Sequence, residues 1–286
     1  MTEARKPYAH TAGKRALDEH LHRVSGDGAH AEDTAYTFVY DARYPLPDPA
    51  PRVSVMIPMK DKSALTDACV QSILEKTDYP DYEVIILDNR SVEEETQNWF
   101  RKITEQNPRV RVIAADMEFN WSKINNFGIC NATGDVFIFL NNDTVVISGD
   151  WMTRLAENVI RPGIGVAGPL LLYPDGTIQH AGVVVGFGGW ADHVFKGQPP
   201  VHYGAPFVSP MVARNVLAVT GACLAVSRKT IEDIGEFDES FIICGSDIEL
   251  CLRAYEKGYY NKYEPAVRLY HYESKSRKPD DIPEVD

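Results

Sequence analysis

The sequence predicts an α/β fold with a mostly parallel central sheet and helices on both of its faces. Three observations predict it. Compact apolar runs of strand length alternate with segments of helical period from residue 53 to residue 140. Those runs read as strands buried on both faces rather than as half-exposed alternating strands. Each run ends in a short polar cluster, where an open parallel sheet places its ligands.

The elements follow in chain order. Residues 15–23 carry Leu17 and Leu21 at helical spacing, and Gly26 and Gly28 break that segment. Residues 36–40 alternate like a strand. Residues 44–51 hold four prolines in eight positions, a composition that is extended and excluded from helices and central strands. This run marks a boundary between an appendage, residues 1–50, and a main domain, residues 51–286. Strands are then expected at 53–57, stopped by Pro58, and at 82–87, 110–113 and 136–140. Helices are expected at 63–76 with Ser63 as N-cap, at 93–106 and at 121–132. Such alternation implies right-handed crossovers. The second half is less regular. Strand-and-turn segments lie at 163–168 and 181–189, a strand region at 219–226, an amphipathic helix at 248–257 closed by Gly258, and a short strand at 267–270 before His271.

Composition limits the function. The chain has 286 residues, with 29 Lys+Arg against 41 Asp+Glu and a net charge of −12. That balance argues against coating nucleic acid, which needs many cationic phosphate contacts. It leaves room for one phosphate-bearing ligand whose charge a divalent cation offsets. No apolar run approaches the ~20 residues of a transmembrane helix, and residues 1–6 lead into no apolar signal segment. The five cysteines are scattered without a CxxC pair, so neither a disulfide framework nor a structural zinc site is expected, and a reducing cytoplasm fits.

The strand-end clusters supply the candidate chemistry: Pro58 to Asp61, Asp88 with Asn89, and Asn141, Asn142 and Asp143. A carboxylate just past a buried strand suits a hard divalent cation, although Asn and Asp also favour turns for their own reasons. Asp247 stands at the mouth of a helix, where the dipole favours a carboxylate. His271 follows a strand and opens a basic, hydroxyl-rich stretch. His180, His193 and His202 have no paired spacing of the kind a metal site shows; His180 and Trp190 are candidates to line a ligand pocket. Trp121, Trp190 and Phe195 are able to stack on a ligand. The glycines from 186 to 189 lack the GxGxxG spacing and read as a turn.

Taken in order, these stretches resemble glycosyltransferase family 2, and most closely its branch that builds bacterial O-antigen, capsule and rhamnan-type polysaccharides. The likeness runs over about residues 52–277. It rests on the opening strand and loop at 53–62, the helix at 119–128, the DxD-type motif at 139–144, the segments 220–226 and 235–239, the ED-type motif at 246–253, and the loop at 271–277. The resemblance implies a GT-A, Rossmann-like nucleotide-diphospho-sugar transferase fold and an inverting, metal-dependent transfer. By the same resemblance Asp247 is the general base. Asp143 and His271 hold Mg²⁺ or Mn²⁺. Pro58, Lys60, Asp88, Lys123, Asn126, Asn141, Asn142, Lys275 and Arg277 bind the donor. Two positions depart from the pattern: Asn141 replaces the first acidic residue of the DxD-type motif, and Ser246 replaces the Glu before the base. Both are read as variation within the branch.

The implied partners are a dTDP- or UDP-sugar donor and a glycan or lipid-linked glycan acceptor, with no nucleic acid and no membrane span. The implied place is the cytoplasm, at or near the inner face of the membrane as a peripheral protein. Two rivals are weighed. A sugar-nucleotide pyrophosphorylase needs a Gly-rich loop after the first strand, which residues 59–62 lack. A catalytically silent carbohydrate-binding module of a larger synthase would release no nucleotide diphosphate. The chain stops soon after the His271 loop, where relatives usually continue, so a segment of a longer, multidomain protein is expected.

Overall fold

The structure, a computed structural model, describes residues 7–186, 189, 191–203 and 209–273. Its centre is a ten-stranded mixed sheet. Four strands form a parallel block: β3 (Val53–Met59), β4 (Tyr82–Asp88), β5 (Val110–Ala114) and β6 (Val136–Leu140), in the spatial order β6-β3-β4-β5. Three helices make the crossovers: α2 (Ser63–Lys76), α3 (Glu94–Gln106) and α4 (Trp121–Asn131). The sheet continues past β6 through β13 (Cys223–Ser227), β8 (Ile164–Leu172), β14 (Tyr260–His271) and β12 (Arg214–Val216). β13 is antiparallel to both neighbours, whereas β14 and β8 are parallel. The paired residues of the sheet are therefore mostly parallel, and the carboxyl ends of β3, β4, β5, β6, β8 and β14 all point to one edge.

Two core layers flank the sheet. One packs Val55, Ile57, Val84, Ile86 and Ile138 against Val70, Ile73, Trp151 and Leu155. The other packs Met56, Ile85, Leu87, Phe137 and Phe139 against Ile124, Ile129, Leu250 and Ala254. Alternate residues of one strand thus enter opposite cores, as strand period 2 requires for a sheet covered on both faces. Helices α5 (Trp151–Val159), α6 (Arg228–Ile234) and α7 (Ser246–Glu256) complete the layers.

The appendage has its own small core. Helix α1 (Pro7–Ser25) packs on the hairpin of β1 (His30–Asp33) and β2 (Tyr40–Arg43), burying Leu21, Ala29 and Ala31. Arg43 fastens it to α5 through a two-pronged bond to Glu157, at 2.7 and 3.1 Å, and Arg161 lies over the Tyr44 ring.

Several boundaries differ from the expectations. β3 runs through Pro58 to Met59. Its pairing with β6 ends at Met56, so beyond that point a missing N–H breaks no ladder bond on that side. Ser63 is the first residue of α2 and is buried. The cap position belongs to Lys62, whose side chain makes no capping bond. Residues 36–39 turn rather than extend: Phe38 has φ 67° and the Val39 N–H donates to the Tyr36 carbonyl. The strand expected at 267–270 is the last third of the twelve-residue β14. α5, α6 and the short strands β7 (Thr144–Val146), β9 (Ile178–His180), β11 (Ala191–His193) and β12 had no clear signal in the sequence. β10 (Val183–Val185) lies inside the expected 181–189 segment.

At the amino ends of the parallel strands a buried carboxylate ties the block together. Burial alone would raise the pKa of Glu83. Bonds from the Thr133 backbone N–H (2.8 Å), the Ser54 hydroxyl (2.7 Å), the Thr133 hydroxyl (2.7 Å) and Arg111 (2.8 Å) outweigh it and hold the pKa at about 2. The ordinary value is 4.5, so the native state favours the ionised form. The stabilisation is complete above pH 4.5 and is lost as pH falls through about 2. Glu83→Gln is expected to lower stability by about 1–3 kcal/mol at neutral pH. Urea unfolding at pH 7 and pH 3 checks this: the variant should lose less stability on acidification than the wild type.

Candidate active site

One cavity of about 420 Å³ opens at the carboxyl edge of the sheet, lined by residues of β3, α4, the β4 and β6 ends and the 243 loop. Pro58 and Lys60 contribute from the end of β3, Asn89 from the end of β4, and Asn141, Asn142 and Asp143 from the end of β6. Phe119, Trp121 and Ile124 form the wall at the start of α4. The Trp121 ring packs edge-on to Phe237, 5.0 Å between centroids, so the wall is braced from behind.

Asn89 shapes this edge. Its side-chain NH₂ donates to the Ala115 carbonyl (3.0 Å) and the Met117 carbonyl (2.8 Å), and its backbone N–H donates to the Met59 carbonyl (2.8 Å). One buried amide thus pins the ends of three neighbouring strands. Asp88 stands beside it at the end of β4, where its carboxylate accepts the Ser91 N–H at 2.9 Å. It is Asn89, not Asp88, that lines the cavity.

Asp143 and His271 are 128 residues apart in sequence and meet through strand pairing. β7 begins immediately after Asp143 and pairs antiparallel with the end of β14, with Thr144 opposite His271. The Tyr272 N–H then donates to the Asp143 carbonyl at 2.9 Å. The result sets His271 Nε2 3.1 Å from Asp143 Oδ1. Both residues are buried, and Asp143 Oδ1 has no hydrogen-bond donor.

The protonation of His271 Nδ1 follows from its partner. Gln179 donates through its NH₂ to Glu273 (3.1 Å), which turns its carbonyl oxygen to His271 Nδ1 at 2.6 Å. Nδ1 must therefore carry a hydrogen, which it donates to Gln179. Asn141 Nδ2 lies 3.4 Å from Nε2. A buried carboxylate oxygen without a hydrogen-bond donor, beside an imidazole nitrogen, is a pair of atom types that fits a divalent cation. The Gln179–Glu273 support behind the ring is the kind of outer shell that orients metal-binding histidines. Among the described residues no group of three or more His, Cys, Asp or Glu side chains could hold a metal. Asp143 and His271 are therefore a pair rather than a full ligand set among the described residues.

Asp247 sits one step from the cavity wall. It lies in the first turn of α7. Gly221 donates its N–H to one carboxylate oxygen at 2.7 Å, and Ile248 donates to the other at 2.9 Å. Gly221 separates it from Trp121: a Cβ there would come within 2.9 Å of the Trp121 ring and 3.4 Å of the Asp247 Cβ. Burial raises the Asp247 pKa above its ordinary value, while the two backbone N–H groups work in the opposite direction. A carboxylate made more basic in this way suits proton abstraction near neutral pH.

The structure gathers Pro58, Lys60, Asn141, Asn142 and Asp143 around the cavity, with His271 and Asp247 behind it. Asn142 is also fastened to α2, where its NH₂ donates to the Thr66 hydroxyl at 3.1 Å. Besides Asp88, two more expected donor residues do not line the cavity. Asn126 is buried and bonds through both ends of its amide to the Phe237 backbone, at 2.9 and 3.0 Å, which fixes α4 to the 237 loop. Lys123 is exposed and lines a neighbouring depression with Asp116, Phe119 and Asn120. Lys275, Arg277 and Trp190 lie outside the described residues. Phe195 stacks on Tyr203, 6.1 Å between centroids. Sequence reading missed Gln179 and Ile243. Gln179 carries no signal of its own, because its role depends on the register that sets it beside His271.

The fold is of GT-A type, and the comparisons agree. Residues 54–209, more than half of the chain, match the profile described as Glycosyl transferase family 2. The chain belongs to this family. It is 40% identical over 279 residues to the "O-antigen biosynthesis protein RfbC" of Myxococcus xanthus, covering 96% of this chain and 21% of that protein. It is 41% identical over 280 residues to the "Uncharacterized protein y4gI" of Sinorhizobium fredii, covering 98% of this chain and 31% of that protein. The chain therefore spans about a third or less of these curated relatives. Among solved structures, GalNAc-T7 with UDP, GalNAc and Mn²⁺ superposes with a TM-score of 0.68 at 17% identity, over 96% of this chain and 55% of that one. The mannosyltransferase PcManGT from Pyrobaculum calidifontis, with GDP-Man and Mn²⁺, gives 0.57 at 15% identity, over 93% and 66%. These likenesses show the GT-A fold.

Gln179→Ala should leave the fold intact and free the His271 ring. Calorimetric titration with Mn²⁺ and UDP is expected to show metal-dependent binding weakened about 10–100-fold. Unchanged binding would mean that His271 needs no support to act.

Proposed function

We propose that this chain transfers a sugar from a nucleotide-diphosphate donor to a growing surface-polysaccharide glycan, with inversion and with the help of a divalent cation. The observation that carries the reading is the buried Asp143–His271 pair beside the cavity. His271 Nε2 and Asp143 Oδ1 lie 3.1 Å apart, and this Oδ1 is buried without a hydrogen-bond donor, an arrangement that a shared cation would complete. The two structural neighbours hold UDP or GDP-Man together with Mn²⁺, and one relative is named for O-antigen biosynthesis.

In this reading Asp143 and His271 hold Mg²⁺ or Mn²⁺, which supplies charge stabilisation for the departing diphosphate. Pro58 and Lys60 flank the base and ribose. Asp88 faces the base from the end of β4, with Asn89 holding the strand ends in place. Asn141 and Asn142 border the ribose and diphosphate. Lys275 and Arg277 extend the phosphate contact by analogy with the family. Asp247 accepts the proton of the attacking hydroxyl, so that attack opposite the leaving group inverts the anomeric centre in one step without a sugar–enzyme bond. The donor is a dTDP- or UDP-sugar and the acceptor a glycan or lipid-linked glycan. Such acceptors place the work in the cytoplasm, at the inner face of the membrane. No helix among the described residues is long and apolar enough to cross a membrane.

The test is diphosphate release from a panel of nucleotide sugars with Mn²⁺, with and without acceptor glycans. Release is expected. Asp247→Asn should lower turnover by about 10²–10⁴-fold and leave metal-dependent UDP binding in place. Asp143→Ala should abolish that binding. Persistent silence of the wild type across the panel would favour a non-catalytic carbohydrate-binding module. UDP binding that survives Asp143→Ala would remove Asp143 as the ligand.

A further inference from the structure

Asp61 belongs to a strand-end cluster, yet the proposed reaction leaves it unused, and it does not line the cavity. The backbone around it is strained. Among the described residues five other than glycine have positive φ, and three of them stand in the loops that follow β3 and β4: Asp61 (51°), Lys62 (52°) and Arg90 (63°). The left-handed region crowds Cβ against the following carbonyl oxygen, so two such residues in succession need support from outside. Asp tolerates this region better than most side chains; Lys does not share that tolerance.

The support is a reciprocal set of hydrogen bonds between the two loops. The Val92 and Glu93 N–H groups both donate to Asp61 Oδ1, at 2.8 and 2.9 Å. In return the Asp61 N–H donates to the Ser91 hydroxyl oxygen at 2.8 Å, and the Lys62 N–H to a Glu93 carboxylate oxygen at 3.1 Å. Lys62 and Glu93 are the cap positions of α2 and α3, and neither side chain caps its own helix. Each helix start thus depends on the opposite loop for what its own cap does not supply.

This clasp touches the cavity through its neighbours. Lys60, which lines the cavity, immediately precedes Asp61. Ser91 donates its own N–H to the Asp88 carboxylate at 2.9 Å, and Gln97 of α3 holds the Ser91 carbonyl at 3.1 Å. Asn89, also in the lining, donates its N–H to the Met59 carbonyl at 2.8 Å. In the strand order β6-β3-β4-β5 the clasp joins β3 to β4, whereas Asp143 follows β6 on the other side of β3. It therefore borders the end of the cavity assigned above to base and ribose, away from the end assigned to cation and diphosphate.

We propose that Asp61 is a positioning residue for the nucleoside: its carboxylate holds the β3 and β4 loops at the separation that lets Lys60, Asp88 and Asn89 receive base and ribose together. The proposal rests on the glycosyltransfer reading and adds to it a side chain that touches no ligand. The left-handed pair makes the arrangement conditional on the carboxylate. Without it, residues 61 and 62 return to commoner backbone, and Lys60 moves with them.

The experiment compares two ligands on the full chain, each titrated with Mn²⁺: the tighter-bound of UDP and dTDP, and inorganic pyrophosphate. Asp61→Gly removes the carboxylate and leaves no left-handed strain at that position, so the chain should fold. Its nucleotide affinity is expected to fall about tenfold, with pyrophosphate affinity unchanged. Asp61→Asn keeps an Oδ1 acceptor and the tolerance for left-handed backbone, and should recover most of the loss. A general loosening of the site would weaken both ligands alike. That result, or wild-type nucleotide affinity in Asp61→Gly, would overturn the proposal. Amide exchange gives a readout that needs no ligand. The Asn89 N–H, which bridges the ends of β3 and β4, should exchange about tenfold faster in Asp61→Gly and at the wild-type rate in Asp61→Asn. If the wild type binds neither ligand, the glycosyltransfer reading fails on its own. The Asn89 rate then decides whether Asp61 sets the two loops: faster exchange supports it, and an unchanged rate refutes it.

Discussion

The site exists because Thr144 pairs with His271. Without the three-residue ladder between β7 and the end of β14, Asp143 would be a turn residue after a buried strand and His271 a terminal residue of another. With it, Asp143 Oδ1 and His271 Nε2 are brought to 3.1 Å inside the protein, and that oxygen keeps no hydrogen-bond donor. The remainder of the carboxyl edge supports this one placement. Gln179 and Glu273 fix the imidazole, Asn141 turns its carbonyl back onto Thr144 at 2.9 Å, and Asn89 holds the strand ends on which the cavity rests.

A second buried carboxylate belongs to Asp247, whose pKa burial raises above its ordinary value while two backbone N–H groups work in the opposite direction. Its position depends on Gly221 being small enough to pass between it and Trp121. The polar features of this edge thus share a physical character: groups held with fewer partners than they could accept, by neighbours whose own bonds are complete. Functional sites commonly concentrate such groups.

Much of the fold was legible in the sequence, and the reason is local. β3, β4, β5 and β6 are dense apolar runs separated by helices of clear period, so their existence depended on nothing distant. The strand-end rule then located Asp88, Asn89, Asn141, Asn142 and Asp143 near the right edge before any coordinates. What the sequence hid depended on pairing between distant segments. β7, β9, β11 and β12 have three residues each, too few to show a period, and they are strands only because a longer neighbour accepts them. Gln179 is invisible for the same reason. Asn126 misled in the opposite direction: a polar residue in a motif-like helix reads as a ligand contact, yet its amide closes a backbone gap at Phe237. Lys123 lies on the same helix but on a face turned to the next depression. Family likeness transfers a segment more securely than it transfers the direction of each side chain on it.

The distribution of charge along the strands shows how stability and activity are kept apart. At the amino ends, Glu83 receives bonds from Ser54, Thr133 and Arg111 and is held at a pKa of about 2. Every lone pair there is answered, and the carboxylate stabilises the ionised native state. At the carboxyl ends, Asp143 lacks a donor on Oδ1 and Asp247 is pushed toward its protonated form. The same residue class therefore serves opposite purposes at the two ends of one sheet, according to how many donors the backbone turns toward it. A net charge of −12 reveals nothing of this division. The carboxylates differ in how many hydrogen-bond donors reach them, and Asp143 and Asp247, which receive fewer than Glu83, are the two proposed to take up a cation and a substrate proton.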